Sequence, residues 1–225
     1  MSIKNFKIYG ERNSGTNLLE AVCSGSSFYH NEEKPALDIP QSKEYGWKHW
    51  FGFNSTDIQK EGQNTLFLGI VRDPYAWMTG LYQKKHHIPA INYSVENFLL
   101  SEWYSIDHNK DSSTYGREVL GDRNWKTGER YKNIFELRKN KLEYLVNHMP
   151  QLAKHYKLIR YEDFCIHHKQ IMNEIGQKFD LKINDYSIGV FKKKDYREIT
   201  SFVLDIINDN IDWDMEQQIG YSKRS

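Results

Sequence analysis

Cysteine is scarce in this chain. Its two cysteines, Cys23 and Cys165, lie far apart and in no C-x-x-C spacing. That excludes a disulfide framework and a cysteine-based zinc site. No apolar run approaches the roughly 18 residues that a membrane-spanning helix needs, so the sequence predicts no membrane span. The opening stretch "MSIKNFKIYGERNSG" lacks the apolar segment of a secretory signal, and the expected compartment is the cytoplasm. An excess of positive charge is also missing. Formal net charge is +1, so no global field draws the chain to nucleic acid. Any anion site has to be built locally, from loops and helix ends.

What is present suits one domain over residues 1–225. Phe6-Lys7-Ile8-Tyr9 reads as a short strand and the sequence from Thr16 as a helix. Tyr45 to His49 reads as a second strand. Thr65 to Val71 is a continuous apolar run, the pattern of a strand buried on both faces. Asp73-Pro74 then has the residues of a helix N-cap and first turn. Residues 133–149 carry apolar positions at helical spacing, and Tyr156 to Arg160 reads as a strand. Asp163 is a candidate cap for the helix that follows. Ile199, Phe202, Val203, Ile206 and Ile207 mark an amphipathic helix. Residues 86–130 read as loops and short helices, an insertion. Strands alternating with helices imply an α/β fold with a mainly parallel central sheet flanked by helices.

The first loop, "YGERNSGTNLLE", places Gly10 and Gly15 between a strand and a helix. Helix N-termini carry amides without internal partners and a partial positive charge, so this corner is suited to an anion. Ser14, Thr16 and Asn17 add side-chain donors, and Arg12 adds charge. The glycine spacing matches the pattern G-x-x-x-x-G-K-S/T, but Thr16 stands at the lysine position and Asn17 at the magnesium-binding hydroxyl. A magnesium triphosphate is poorly served. A ligand with a single 5′-side phosphate group and no obligate metal fits better.

The second loop, "VRDPYAWMTGLY", follows the buried strand. Arg72 stands at that strand's C-terminal end, where open α/β sheets bind ligands. With Thr79 and Gly80 on the next helix it forms a candidate second phosphate grip.

Together the two loops resemble those of the sulfotransferases that use 3′-phosphoadenosine-5′-phosphosulfate (PAPS). "NSGTNLL" is similar to that family's 5′-phosphosulfate loop, and "VRDPYAWMTGLY" to its 3′-phosphate loop. Leu158 to Asp163, "LIRYED", resembles a strand end whose tyrosine lies near the adenine. Phe191-Lys192-Lys193-Lys194 resembles a late segment closing over the 3′-phosphate. Trp47-Lys48-His49 falls where many members carry a histidine base.

The resemblance implies a P-loop-like sulfotransferase fold. It implies a nucleotide site of Arg12, Asn13, Ser14, Gly15, Thr16, Asn17, Leu18, Arg72, Thr79, Gly80, Tyr161, Lys192 and Lys193. Asn13 stands where the family carries Lys or Arg, which makes Arg12 the candidate substitute. Gly80 stands at the usual serine, with Thr79 beside it.

The activity so implied is sulfuryl transfer from PAPS to an acceptor hydroxyl, with 3′,5′-adenosine bisphosphate as product and a glycan as one candidate acceptor. His49 is the expected base and Glu11 the competing carboxylate. Lys48 and Arg12 are the candidates to stabilise the leaving group. Trp103, Tyr104, Tyr115 and Trp125 are candidate acceptor-pocket residues. The basic cluster from Lys84 to His87 reads either as a solvated helix end or as a lure for an acidic acceptor. A small-molecule kinase with a degenerate loop, and a nucleotide-binding module without turnover, are the alternatives. Nothing in the sequence points to an oligomeric state.

Overall fold

The computed structural model describes residues 2–25, 34–52, 57–85, 87–186 and 200–224. Three strands form its sheet: β1 (Asn5–Tyr9), β2 (Thr65–Val71) and β3 (His155–Arg160). Their order is β1-β2-β3 and both pairings are parallel. Tyr9 pairs with Gly69, and Val71 with Arg160. All three strands therefore end on the same edge of the sheet. That edge collects Gly10, Arg72 and Tyr161, the first residues beyond each strand.

β2 is buried at every position, as its unbroken apolar run predicts. Alternation along the strands divides the core in two. Phe6, Ile8, Leu66, Leu68 and Ile70 pack with Leu19 and Val22 of α1 (Thr16–Ser24) and with Phe164, Met172 and Ile175 of a long later helix. Tyr9, Phe67 and Val71 pack on the other face with Phe51, Leu142, Leu145 and Met149.

Between β1 and β2 lies the single-turn α2 (Ile58–Glu61). After β2 comes α3 (Pro74–Lys84), capped by Asp73, whose carboxylate accepts from the Ala76 amide at 2.9 Å. α4 (Val95–Leu100) opens the expected insertion. Past it, antiparallel bridges Trp103–Tyr131 and Ile106–Glu118 hold the irregular stretch together. α5 (Ile134–Glu143) runs through a π-turn at Tyr144–His148 into α6 (Met149–Leu152). α7 (Tyr161–Phe179), α8 (Ser201–Asn210) and α9 (Trp213–Gln218) complete the described elements. α3, α4, α5 and α8 share a third apolar cluster around Trp77, Trp103 and Ile134. Among the described residues no helix is long and apolar enough to cross a membrane.

Two expectations change. Tyr45 to His49 is not a strand. Tyr45 and Gly46 take φ of 66° and 74°, the left-handed region, which breaks any ladder. The segment still runs beside β1, pinned by other bonds. Tyr9 donates its hydroxyl to the Tyr45 carbonyl at 2.7 Å, Lys7 donates to Gly46, and the Gly10 amide donates to the Lys48 carbonyl at 3.0 Å. Asp163 does not cap α7, which begins at Tyr161. Glu162 in that first turn instead accepts from the Asp73 amide at 3.0 Å and from the Tyr221 hydroxyl at 2.7 Å.

Candidate functional site

The first loop turns tightly against its neighbours. Asn13 has φ 63° and Gly15 has φ 102°, so the chain enters α1 through two left-handed residues. Gly15 has a reason to be glycine beyond its dihedral, because a Cβ there would collide with the Tyr161 ring. Amides of Gly15, Thr16 and Asn17 have no hydrogen-bond partner among the described residues. The Leu18 amide does have one. It donates to the Gly15 carbonyl at 3.0 Å, which removes Leu18 from the expected anion donors. Ser14 is also removed as a donor, since its hydroxyl proton goes to the Glu11 carbonyl at 2.6 Å.

Arg72 joins this loop directly. Its guanidinium donates to the Asn13 carbonyl at 3.1 Å and stacks on Tyr161, 4.4 Å from the ring centre. The ends of β1, β2 and β3 thus meet in one place through Gly15, Arg72 and Tyr161. The expected partners of Arg72 behave differently. Thr79 donates its hydroxyl proton to the Tyr75 carbonyl at 2.8 Å, within its own helix, so it is not a phosphate donor as expected. Gly80 is buried in α3. Lys192 and Lys193, with Phe191 and Lys194, lie outside the described residues.

The cation at the first loop is Lys48, not Arg12. Lys48 donates to the Asn17 side-chain oxygen at 2.7 Å and pairs with Glu20, both on α1. Arg12 points the other way. It donates to Ser105 at 2.7 Å and pairs with Asp122 at 3.4 Å, with 7% of its surface exposed. A guanidinium so paired and so buried is a structural anchor, which corrects the expectation that it replaces the loop's usual lysine.

His49 lies next to the same loop. Its Nδ1 is 2.7 Å from the Gly10 carbonyl, and a carbonyl only accepts, so Nδ1 carries the proton in the neutral ring. Nε2 is then an acceptor, with no hydrogen-bond partner among the described residues. Burial pushes the His49 pKa down to about 3; the Gly10 bond opposes this, and the charges of Lys48 and Arg12 add to it. The half-buried imidazole is therefore neutral near pH 7. Lys48 and His49 are adjacent, which in a strand would point them apart. In this irregular segment both reach the first loop.

Glu11, the competing carboxylate, is withdrawn from the site. It is 4% exposed and pairs with Arg138 at 2.9 Å. Arg138 also pairs with Glu216 at 2.7 Å and donates to the Arg72 carbonyl at 2.8 Å. One turn further along α5, Lys141 pairs with Asp122 at 2.8 Å and donates to the His49 carbonyl at 3.3 Å. Glu11 and Arg12 are thus held from beneath by two ionic knots, both tied to α5. None of Arg138, Lys141, Asp122 and Glu216 stood out in the sequence. A charged residue at an apolar-phase position of a helix, as Arg138 and Lys141 are beside Leu137 and Leu142, is the only signal they leave.

Aromatic residues border His49. Trp47 meets it edge to face at 4.5 Å and meets Trp50 at 4.4 Å. His87 lies 5.9 Å from Trp47. Trp47 is 38% exposed. The acceptor-pocket candidates separate: Trp103 is fully buried core, Trp125 packs on Tyr144, Arg130 covers Tyr104, and Tyr115 is exposed. In the basic cluster, Lys85 lies over the Tyr93 ring at 4.7 Å, and His87 is buried with its Nδ1 2.7 Å from the Ile106 carbonyl. His86 lies outside the described residues. The chain matches no protein-family model, no curated protein and no solved structure.

Proposed function

We propose that the chain transfers a sulfuryl group from PAPS to a hydroxyl-bearing acceptor, on a fold of the P-loop-like sulfotransferase kind. One observation carries the reading. Three open amides, the Lys48 ammonium and the Arg72 guanidinium gather at the sheet edge beside a neutral histidine whose Nε2 is an acceptor.

The donor set fits an anionic nucleotide. Amides of Gly15, Thr16 and Asn17 suit the 5′-phosphosulfate end, where the α1 dipole adds positive potential. Lys48, held between Asn17 and Glu20, supplies an ammonium there, and Arg72 supplies a guanidinium for the 3′-phosphate. Tyr161, already stacked on Arg72, offers the adenine a flat ring. Thr16 at the P-loop lysine position is buried and uncharged, which disfavours a magnesium triphosphate.

When bound, PAPS supplies an activated sulfuryl group and leaves as 3′,5′-adenosine bisphosphate. The chain's own part is positioning and charge. His49 takes the hydroxyl proton of the acceptor on Nε2, while the Gly10 carbonyl holds the Nδ1 proton and stabilises the imidazolium. Lys48 and the α1 amides favour negative charge on the leaving side. Trp47, exposed and in contact with His49, presents an apolar face to the acceptor. A saccharide ring is the class we assign, because aromatic faces cover the C–H faces of sugars.

A thermal-shift comparison tests the reading. Ligands that bind the native state raise its apparent stability. 3′,5′-Adenosine bisphosphate is expected to raise the melting temperature by several degrees and ATP–magnesium by much less. The reverse order would favour a kinase.

A further inference from the structure

Arg138 is 2% exposed, and its guanidinium makes four hydrogen bonds. Nη1 meets Glu11 at 2.9 Å. Nε and Nη2 meet the two Glu216 oxygens at 2.7 and 2.9 Å. Nη2 also meets the Arg72 carbonyl at 2.8 Å. These partners belong to three separate parts of the molecule. Glu11 lies in the first loop, Arg72 follows β2, and Glu216 lies on α9. The other Glu11 oxygen is buried without a hydrogen-bond partner, so among the described residues Arg138 is the only hydrogen-bonding anchor of that carboxylate.

We propose that Arg138 is a positioning residue of the anion site, setting the first loop against Arg72 so that the open α1 amides and the Arg72 cation face one ligand. The role rests on the nucleotide reading above. Arg138 lies beneath the loop and does not touch the ligand. Its fork geometry is the essential feature, because one planar group spans all three partners. A lysine ammonium keeps the charge but is a point donor on a flexible stem and cannot hold them together.

The test is calorimetric titration of the full chain with 3′,5′-adenosine bisphosphate, well below each variant's melting temperature. Arg138→Lys and Arg138→Met are compared with the native chain. Each variant is expected to bind at least tenfold more weakly, with Arg138→Met the weaker. The native affinity should fall as Glu11 ionises beneath the loop. In Arg138→Met the midpoint of that fall should move to higher pH, since Glu11 loses its main cation and keeps only Lys141 against Glu216; Arg138→Lys keeps a cation there and is read by its affinity. A merely structural arginine would lower the melting temperature and leave both readouts alone. Should Arg138→Met fail to fold, Arg138→Lys carries the test. Native-like affinity in a folded variant, or an unshifted profile in folded Arg138→Met, overturns the role of Arg138 alone. No binding by the native chain overturns the nucleotide reading and this role with it.

Discussion

The Nδ1 of His49 lies 2.7 Å from the carbonyl oxygen of Gly10, the residue that begins the first loop. The imidazole and the loop are therefore one mechanical unit, and the carbonyl selects the tautomer. Replacing His49 by Ala is expected to lower sulfuryl transfer by roughly 10²–10⁴-fold, the usual worth of a general base. Binding of 3′,5′-adenosine bisphosphate should stay within a few-fold of native. Transfer rates and titration on the same preparation check this; near-normal transfer removes His49 as base.

Lys48 and Arg12 separate cleanly by mutation. Lys48→Met is expected to weaken nucleotide binding about tenfold, the loss of one charge-assisted contact of about 1.4 kcal/mol, with little change in melting temperature. Arg12→Met leaves Asp122 buried with one partner fewer. Breaking a buried pair costs about 3–5 kcal/mol, so its melting temperature should fall sharply. Measuring both quantities for both variants is the check. An Arg12 variant that is stable and binds poorly would restore Arg12 to the anion site.

Gly15→Ala should damage fold and site together. The residue has φ 102°, and a Cβ would strike Tyr161, which in turn rests on Arg72. A loss above about 1 kcal/mol is expected from the dihedral alone. Urea unfolding measures the loss; a neutral result would mean that Tyr161 moves away freely.

Burial raises the Glu11 pKa to about 7, against the opposing pull of Arg138, with Glu216 adding to the rise. The folded chain thus holds this proton more tightly than the unfolded one. Its contribution is complete below the ordinary carboxyl range and is lost as pH rises from about 4.5 through 7. Glu11→Gln should flatten that decline. Melting temperatures across pH 4.5–8 for both chains test it. Parallel curves would show that Glu11 does not titrate in this window.

Local signals were easy to read. β2 announces itself because Leu66 to Val71 is an unbroken run without a polar side chain, and Asp73-Pro74 because a cap needs only its own neighbours. The convergence of Gly15, Arg72 and Tyr161 followed from loops at strand ends in a parallel sheet. Long-range pairings were not legible. Whether Arg12 faces a ligand or a core depends on Asp122 and Ser105, which lie far along the chain. Glu11 looked like a loop carboxylate because Arg138 could not be placed beneath it. Tyr45 to His49 has a strand's composition, and only side-chain pins and two left-handed residues make it irregular.

Beneath the loop sit three acids, Glu11, Asp122 and Glu216, and three bases, Arg12, Arg138 and Lys141. Exchanging a member for a neutral residue leaves an opposite charge in the interior with one partner fewer. Drift at any of these positions would have to be answered at another, more than a hundred residues away in some cases. Such a set is inherited whole or replaced whole, and grafting the loop alone onto another scaffold would leave behind the part that holds its shape.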